Sequence, residues 1–93
     1  MKIKSIETEI IKCTVQGKQY DCDRYNIDIK TPLSTKEYSV SVDFHNKEIW
    51  GDTVQYGSLY TLENEEIKEI LTLVEKEGKT LRPFKELLQK IAG

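Results

Sequence analysis

Two segments near the start of the chain alternate between apolar and polar side chains, as β-strands do. Residues 6–15 and 20–29 are rich in Ile, Val, Thr and Tyr, and these residue types favour strands. Gly17-Lys18 lies between them and suits a two-residue turn that begins with glycine. The pattern therefore predicts a β-hairpin, and this turn would place Cys13 directly opposite Cys22.

The apolar positions of this hairpin change side halfway along both strands. Ile6 and Ile27 point to one face near the open end, whereas Val15 and Tyr20 point to the other near the turn, because successive side chains alternate. A bulge near Ile10-Ile11 could rotate the strands locally. Alternatively, the base of a long hairpin covers the core while its tip offers an apolar face to a partner or to a second copy of the chain.

A second hairpin is predicted further along the chain. Residues 38–44 alternate apolar and polar side chains without a break, which indicates a half-buried strand. The polar residues 45–47 form a turn, and residues 48–54 form a fourth strand. The Tyr-Gly-Ser sequence at 56–58 is predicted to end the sheet.

From Thr61 onward the apolar spacing changes from two residues to 3.6, which predicts helices. Thr61 is the predicted cap of the first helix and Gly78 its end, and Thr80 is the predicted cap of the second. Each helix has one apolar stripe. The stripe residues are Ile67, Ile70, Leu71 and Val74 in the first helix, and Leu81, Phe84, Leu87, Leu88 and Ile91 in the second.

These elements predict one α+β domain. A four-stranded antiparallel sheet of two hairpins is followed by two amphipathic C-terminal helices that pack on one face. The 93 residues are enough for a single core and too few for two. We therefore expect one domain over residues 1–93, β-rich over 1–60 and helical over 61–93.

Charge and hydropathy narrow the class of partner. The formal net charge of −2 gives no general attraction for nucleic acids or anionic lipids. No apolar run is long enough to span a membrane, and residues 1–7 lack the apolar stretch of a signal peptide. We expect a cytoplasmic protein with no membrane contact.

No set of side chains points to one particular chemistry. Two cysteines nine positions apart and one distant histidine, His45, do not match the spacing of a zinc site. Cys13 and Cys22 are expected to be reduced and buried. The carboxylates near Asp43 lie on polar strand positions, where solvent keeps them ordinary acids. We therefore expect no catalytic residue, no metal ion and no cofactor.

Aromatic residues are the remaining signal. Trp50, Tyr56 and Tyr60 lie at or after the last predicted strand, and Trp and Tyr dominate the energetics of protein interfaces. Together with Val15 and Tyr20 at the first hairpin, they form the predicted protein-binding set.

The favoured hypothesis is a small non-enzymatic protein-binding module. Its size and composition are typical of an inhibitor or accessory protein of a phage or another mobile element, such as an inhibitor of a host defence system. One alternative is a single-stranded nucleic-acid-binding protein that stacks bases on Tyr20, Tyr25 and Trp50. Another is a small metal- or ligand-dependent enzyme that uses the acidic residues near Asp43.

Overall fold

The computed structural model describes residues 2–91, and in it one antiparallel sheet is followed by helices. The sheet order is β1-β2-β3-β4-β5, so each strand pairs with its neighbours along the chain and β1 and β5 form the two edges. The strands are β1 (Lys2–Val15), β2 (Lys18–Lys30), β3 (Thr35–Asp43), β4 (Glu48–Gln55) and β5 (Ser58–Thr61), and the helices are α1 (Asn64–Lys76) and α2 (Lys85–Lys90). The predicted α+β class is confirmed.

The sheet has five strands, so the prediction of four was wrong. Tyr56 and Gly57 have φ angles of 51° and 78°, and two consecutive residues with positive φ form the tight turn that suits a two-residue hairpin. The Tyr-Gly-Ser sequence therefore reverses the chain without ending the sheet. Ser58 to Thr61 then pair antiparallel with β4.

The first hairpin is present, but its turn lies one residue earlier than predicted. Gln16 and Gly17 occupy it with φ angles of 51° and 79°, so Cys13 lies opposite Tyr20 and not opposite Cys22. Moving a turn by one residue changes each partner by two positions, which preserves the face of every side chain. The predicted change of face therefore survives the correction of the register.

No bulge accompanies that change of face. Pairing runs without interruption from Ser5 to the turn, and the single register shift in the described part of β1 lies between Ile3 and Ser5. The alternative with a bulge near Ile10-Ile11 is therefore wrong. The two strands carry their apolar residues on one face near the base and on the other near the tip.

The two faces of the sheet differ in what packs against them. We call the face that packs against α1 the helix face and the other the open face. On the helix face, Tyr25 and Val40 are opposed and buried, and they pack in one core with Ile67 and Leu71 of α1. On the open face no described helix is packed, and polar side chains such as Asn26 alternate with those of the core. No helix among residues 2–91 is long and apolar enough to cross a membrane.

α1 matches its predicted stripe, whereas α2 is shorter than predicted. Ile67, Ile70, Leu71 and Val74 are all buried in α1. The helix begins at Asn64 with Glu63 as its cap, so the predicted cap, Thr61, belongs to β5 instead. It ends at Lys76, and Gly78 follows with φ of 68°.

The segment before α2 is held to the sheet by polar contacts instead of forming the first turn of a helix. The Arg82 guanidinium donates two hydrogen bonds to the buried Asp23 carboxylate, at 2.9 and 2.8 Å. The Leu81 N–H donates to the Tyr25 hydroxyl at 3.0 Å. Leu81 is consequently exposed, while Phe84 packs edge-on against Tyr25. Residues 92 and 93 of the predicted helical half lie outside the described range.

Candidate protein-binding surface

Exposed apolar side chains are concentrated in the second hairpin of the sheet. Seven large hydrophobic residues are exposed in the described chain, and four of them lie between positions 54 and 60. Their exposed fractions are 36% for Val54, 89% for Tyr56, 69% for Leu59 and 53% for Tyr60. We call these four residues the edge patch. Isolated exposed hydrophobics are ordinary, whereas several within one short hairpin form a candidate interaction surface.

The edge patch wraps around the free edge of the sheet. Val54 and Leu59 are directly opposed and lie on the open face. Tyr60 is opposite Thr53 and lies on the helix face. Tyr56 lies in the turn that joins the two strands. A partner approaching from the edge would therefore contact apolar side chains on both faces.

Tyr56 has a backbone conformation that its side chain disfavours. A φ of 51° is uncommon for residues other than glycine, asparagine and aspartate, and it is costly for a bulky side chain. The Tyr56 ring is among the most exposed in the protein, so packing within the chain does not offset that cost. Backbone strain is more frequent at functional sites, and Gln16 and Lys47 adopt the same φ range in two other turns of the chain.

The outer edge of β5 has backbone groups that no described strand pairs. In a two-residue hairpin the residues flanking the turn exchange hydrogen bonds, and every second residue then points its N–H and C=O away from the partner strand. The Leu62 N–H donates to the Gly51 carbonyl at 2.8 Å, which agrees with this phase. Leu59 and Thr61 therefore direct their backbone groups outward. An edge of this kind can accept another strand.

The segment of the chain that contains β5 carries charge of one sign. Residues 48–67 contain five acidic side chains and no lysine or arginine. On the open face, a groove of about 290 Å³ borders the edge patch, and its wall includes Val54, Leu59, Asp28, Glu37 and Asp52. The surface thus combines apolar side chains with three carboxylates.

The structure brings only two of the five predicted binding residues together. Tyr56 and Tyr60 belong to the edge patch. Trp50 is half-buried on the open face, opposite Ser41. Val15 and Tyr20 lie at the tip of the first hairpin, at the far edge of the sheet, and both are half-buried.

Apolar side chains at the tip of the first hairpin contact other residues of the same chain. The Tyr20 ring stacks on the His45 ring with 4.0 Å between centroids. Cys22 is fully buried and Cys13 nearly so, and both are free thiols, as predicted. Burial, a hydrogen bond with the Cys13 thiol and the nearby Asp43 carboxylate raise the pKa of Cys22 to about 12. Cys22 is therefore a neutral thiol at neutral pH, and both cysteine side chains are shielded from solvent.

The carboxylate of Asp43 shapes a turn. It accepts hydrogen bonds from the His45 and Asn46 backbone N–H groups, each at 3.0 Å, and from the Asn46 side chain at 2.7 Å. Among residues 2–91, no three His, Cys, Asp or Glu side chains are grouped as they would be to hold a metal ion.

The three aromatic residues considered for base stacking do not share a surface. Tyr25 is fully buried on the helix face, whereas Tyr20 and Trp50 lie on the open face. Glu9 lies in the same row of the open face as Trp50, joined through Arg24 and Ser41. The single arginine in that row contacts Glu9, with 3.7 Å between the Nη1 and Oε1 atoms.

Sequence reasoning missed Val54 and Leu59 as parts of a surface. Val54 alternates with its neighbours as a core residue would, and Leu59 follows a supposed strand break. The signal that could have found them is the Tyr-Gly dipeptide at 56–57, which has strand-forming residues on both sides and therefore resembles a hairpin turn. Recognition of that turn would have placed Leu59 on an edge strand.

Comparison of the chain with protein-family models, with curated proteins and with solved structures found no significant match.

Proposed function

We propose that this protein is a non-enzymatic protein-binding module and that the edge patch is its main contact surface. The observation that carries the proposal is the concentration of four of the seven exposed large hydrophobics of the described chain in one short hairpin. That hairpin lies at a free sheet edge. Aromatic side chains bury a large area at a small entropic cost, which makes two tyrosines in one patch effective anchors.

The unfavourable conformation of Tyr56 supports the same proposal. Asparagine or glycine would suit that turn position better, so the turn geometry by itself does not select the tyrosine, just as it does not select Gln16 in the first hairpin. A role in binding does account for the tyrosine. If Tyr56 serves binding, its replacement by asparagine should stabilise the fold and weaken binding. If Tyr56 serves folding, the same replacement should destabilise the fold and leave binding unchanged.

The test is affinity capture from the source cell with the wild-type chain and matched variants. Tyr56→Asn and Leu59→Ser remove apolar contact area at the edge patch. Leu33→Ser is the control, because Leu33 is 89% exposed, as Tyr56 is, and lies in the loop between β2 and β3. We expect the first two variants to lose a protein that the wild type and the control both retain.

The identity of the captured protein is confirmed by photo-crosslinking. A photoreactive phenylalanine analogue at position 56 or 59 should crosslink to the same protein, and the analogue at position 33 should not. Equal capture by all variants would contradict the proposal. So would a crosslink that forms at position 33 and at neither site of the edge patch.

The narrower hypothesis is an inhibitor or accessory protein of a phage or another mobile element. Its support is the composition of the chain. The captured partner would decide it, since a component of a host defence system is the expected target.

A further inference from the structure

We infer that the partner contributes an extended, basic segment that adds to the sheet as a sixth strand along the outer edge of β5. This inference rests on the proposed function and specifies the chemistry of the partner. Three observations carry it: the unpaired backbone groups of β5, the apolar side chains beside them, and the acidic side chains within reach.

The first observation concerns backbone hydrogen bonds. Leu59 and Thr61 direct two N–H and two C=O groups away from β4, as the hairpin phase requires. A partner strand opposite these residues would satisfy all four groups. Recognition of this kind gives affinity through the main chain and selectivity through alternate side chains.

The second observation is the contrast with the other edge of the sheet. β1 is a 14-residue strand that carries lysine and glutamate side chains and a register shift near its start. Mixed charge and bulges are two of the devices by which proteins prevent unwanted strand pairing, and a very short edge strand is a third. β5 is short but has neither charge nor a bulge: its four residues, Ser58 to Thr61, are uncharged and all exposed.

The third observation specifies the side chains of the partner strand. On the open face, the partner residue opposite Leu59 would contact the apolar pair formed by Leu59 and Val54. The residue opposite Thr61 would lie about 10 Å from Asp52, two strand spacings away. A lysine or arginine side chain is long enough to cross Thr61 and reach that carboxylate. The expected partner sequence therefore has an apolar and a basic residue two positions apart.

Long-range electrostatics also favour a basic partner segment. Residues 48–67 carry five acidic side chains without a basic one, and the groove beside Leu59 adds Asp28 and Glu37. A basic segment would be steered toward this edge, and an acidic one would be repelled.

The experiment is an NMR titration of the full ¹⁵N-labelled chain with three synthetic octapeptides at millimolar concentration. The probe is Thr-Val-Thr-Lys-Thr-Val-Thr-Lys. One control has glutamate in place of lysine, and the other has methylated backbone nitrogens at Val and Lys. With the probe we expect nuclear Overhauser contacts to β5 and slowed exchange of the Leu59 and Thr61 amides. The glutamate peptide should bind at least about tenfold more weakly, and the methylated peptide should not bind.

Variants of the protein test whether the charge effect is local. Asp52→Lys should reverse the preference between the lysine and glutamate peptides, and Asp52→Asn should remove it. Glu7→Lys is the matched control, because Glu7 lies in the same row of the open face as Asp52 but in β1, at the other edge of the sheet. It should leave the preference unchanged. Circular dichroism verifies that each variant is folded.

Several outcomes would overturn the inference. Equal effects of the Asp52 and Glu7 substitutions would show that net charge, and not pairing along β5, selects the peptide. Contacts between the probe and β1 would place the strand at the other edge. Protection of the β5 amides that rises with protein concentration, without peptide, would identify a second copy of the chain as the occupant.

The inference and the proposed function can fail separately. If the edge-patch variants lose partner capture while no peptide pairs with β5, the surface binds proteins by another mode and only the inference falls. If peptides pair with β5 while the captured partner ignores Tyr56 and Leu59, the proposed surface falls instead.

Discussion

The two terminal hairpins of the sheet are closed by nearly identical turns and differ in how far their apolar side chains are covered. Both turns have a residue at φ of 51° followed by a glycine, at 79° in the β1–β2 hairpin and at 78° in the β4–β5 hairpin. The first hairpin is long, and its apolar tip is covered from within by the Tyr20–His45 stack and the buried cysteines. The second is short, and its apolar side chains remain exposed.

The difference shows that turn geometry and burial are separate properties of a hairpin. The backbone at residues 16–17 and at residues 56–57 performs the same reversal. What differs is whether another part of the chain returns to cover the apolar side chains. At the first hairpin the loop after β3 returns to the tip through His45, whereas among the described strands β4 alone pairs with β5.

The largest expected effect comes from removing the anchor of the first hairpin. Arg82→Met leaves the fully buried Asp23 carboxylate without its charged partner. An unpaired buried charge is strongly destabilising, and because the Arg82 side chain is 46% exposed we expect a loss of about 2–3 kcal/mol in the free energy of unfolding. Urea denaturation measures it.

The control for this anchor is a double variant. Asp23→Asn combined with Arg82→Met removes both charges and should recover part of the lost free energy. Leu59→Ser in the second hairpin should cost less than about 0.5 kcal/mol. Equal losses in Arg82→Met and Leu59→Ser would contradict the contrast between the hairpins.

Alkaline pH should destabilise the first hairpin through Cys22. Burial raises the pKa of Cys22 to about 12, so the folded state keeps its proton while the unfolded state loses it above the ordinary thiol pKa. The contribution of the protonated Cys22 thiol to the free energy of unfolding is complete below about pH 8.5. It decreases as pH rises toward 12, by roughly 1 kcal/mol per pH unit. Burial also raises the pKa of Tyr25, which adds a decrease of the same sign.

Denaturation curves at several pH values between 8 and 11 check this expectation. Cys22→Ala should show a shallower decrease than the wild type over that range. A slope that is unchanged in Cys22→Ala would mean that other groups cause the alkaline loss.

Truncation of one tyrosine in each hairpin compares covered with exposed rings. Tyr20→Ala removes a half-buried ring that stacks on His45, and we expect a loss of about 1–2 kcal/mol. Tyr60→Ala removes an exposed ring and should cost less than about 0.5 kcal/mol. Thermal unfolding of both variants measures the difference, and a larger cost for Tyr60→Ala would reverse our assignment of the two rings.

The smallest expected effect distinguishes the two turns themselves. Gln16→Asn and Tyr56→Asn each place asparagine at a position with positive φ, so both should stabilise the fold by about 0.5 kcal/mol. Tyr56→Asn should also lower capture of the partner, whereas Gln16→Asn should not. A loss of stability in Tyr56→Asn would indicate that the ring packs within the chain and would remove the strain argument.

The sequence was sufficient for the parts of the fold that depend on local periodicity. Alternation predicted β3, and 3.6-residue spacing predicted the stripe of α1, because burial of one face of an element leaves a repeating pattern. The change of face in the first hairpin was also predicted, since it depends only on whether the apolar residues occupy odd or even positions of each strand. A shift of the turn by one residue did not affect it.

Two errors, in the turn of the first hairpin and in the number of strands, arose where alternative conformations have similar local preferences. Gly17-Lys18 and Gln16-Gly17 are both acceptable turns by sequence, and the difference in register follows from the whole strand pairing. The Tyr-Gly-Ser sequence at 56–58 was interpreted as a break, because a tyrosine at positive φ is disfavoured locally.

Local periodicity therefore determined the α+β class, the core stripes and the face of each side chain. Tertiary structure alone decided which apolar residues are covered. Asp23 and Arg82 are 59 positions apart, and their pairing holds the residues before α2 against the sheet. Leu59 and Tyr60 are exposed because β5 is the last strand of the sheet. The physical reason is that periodicity records how an element presents its faces, whereas burial depends on segments distant in the chain that return to cover them.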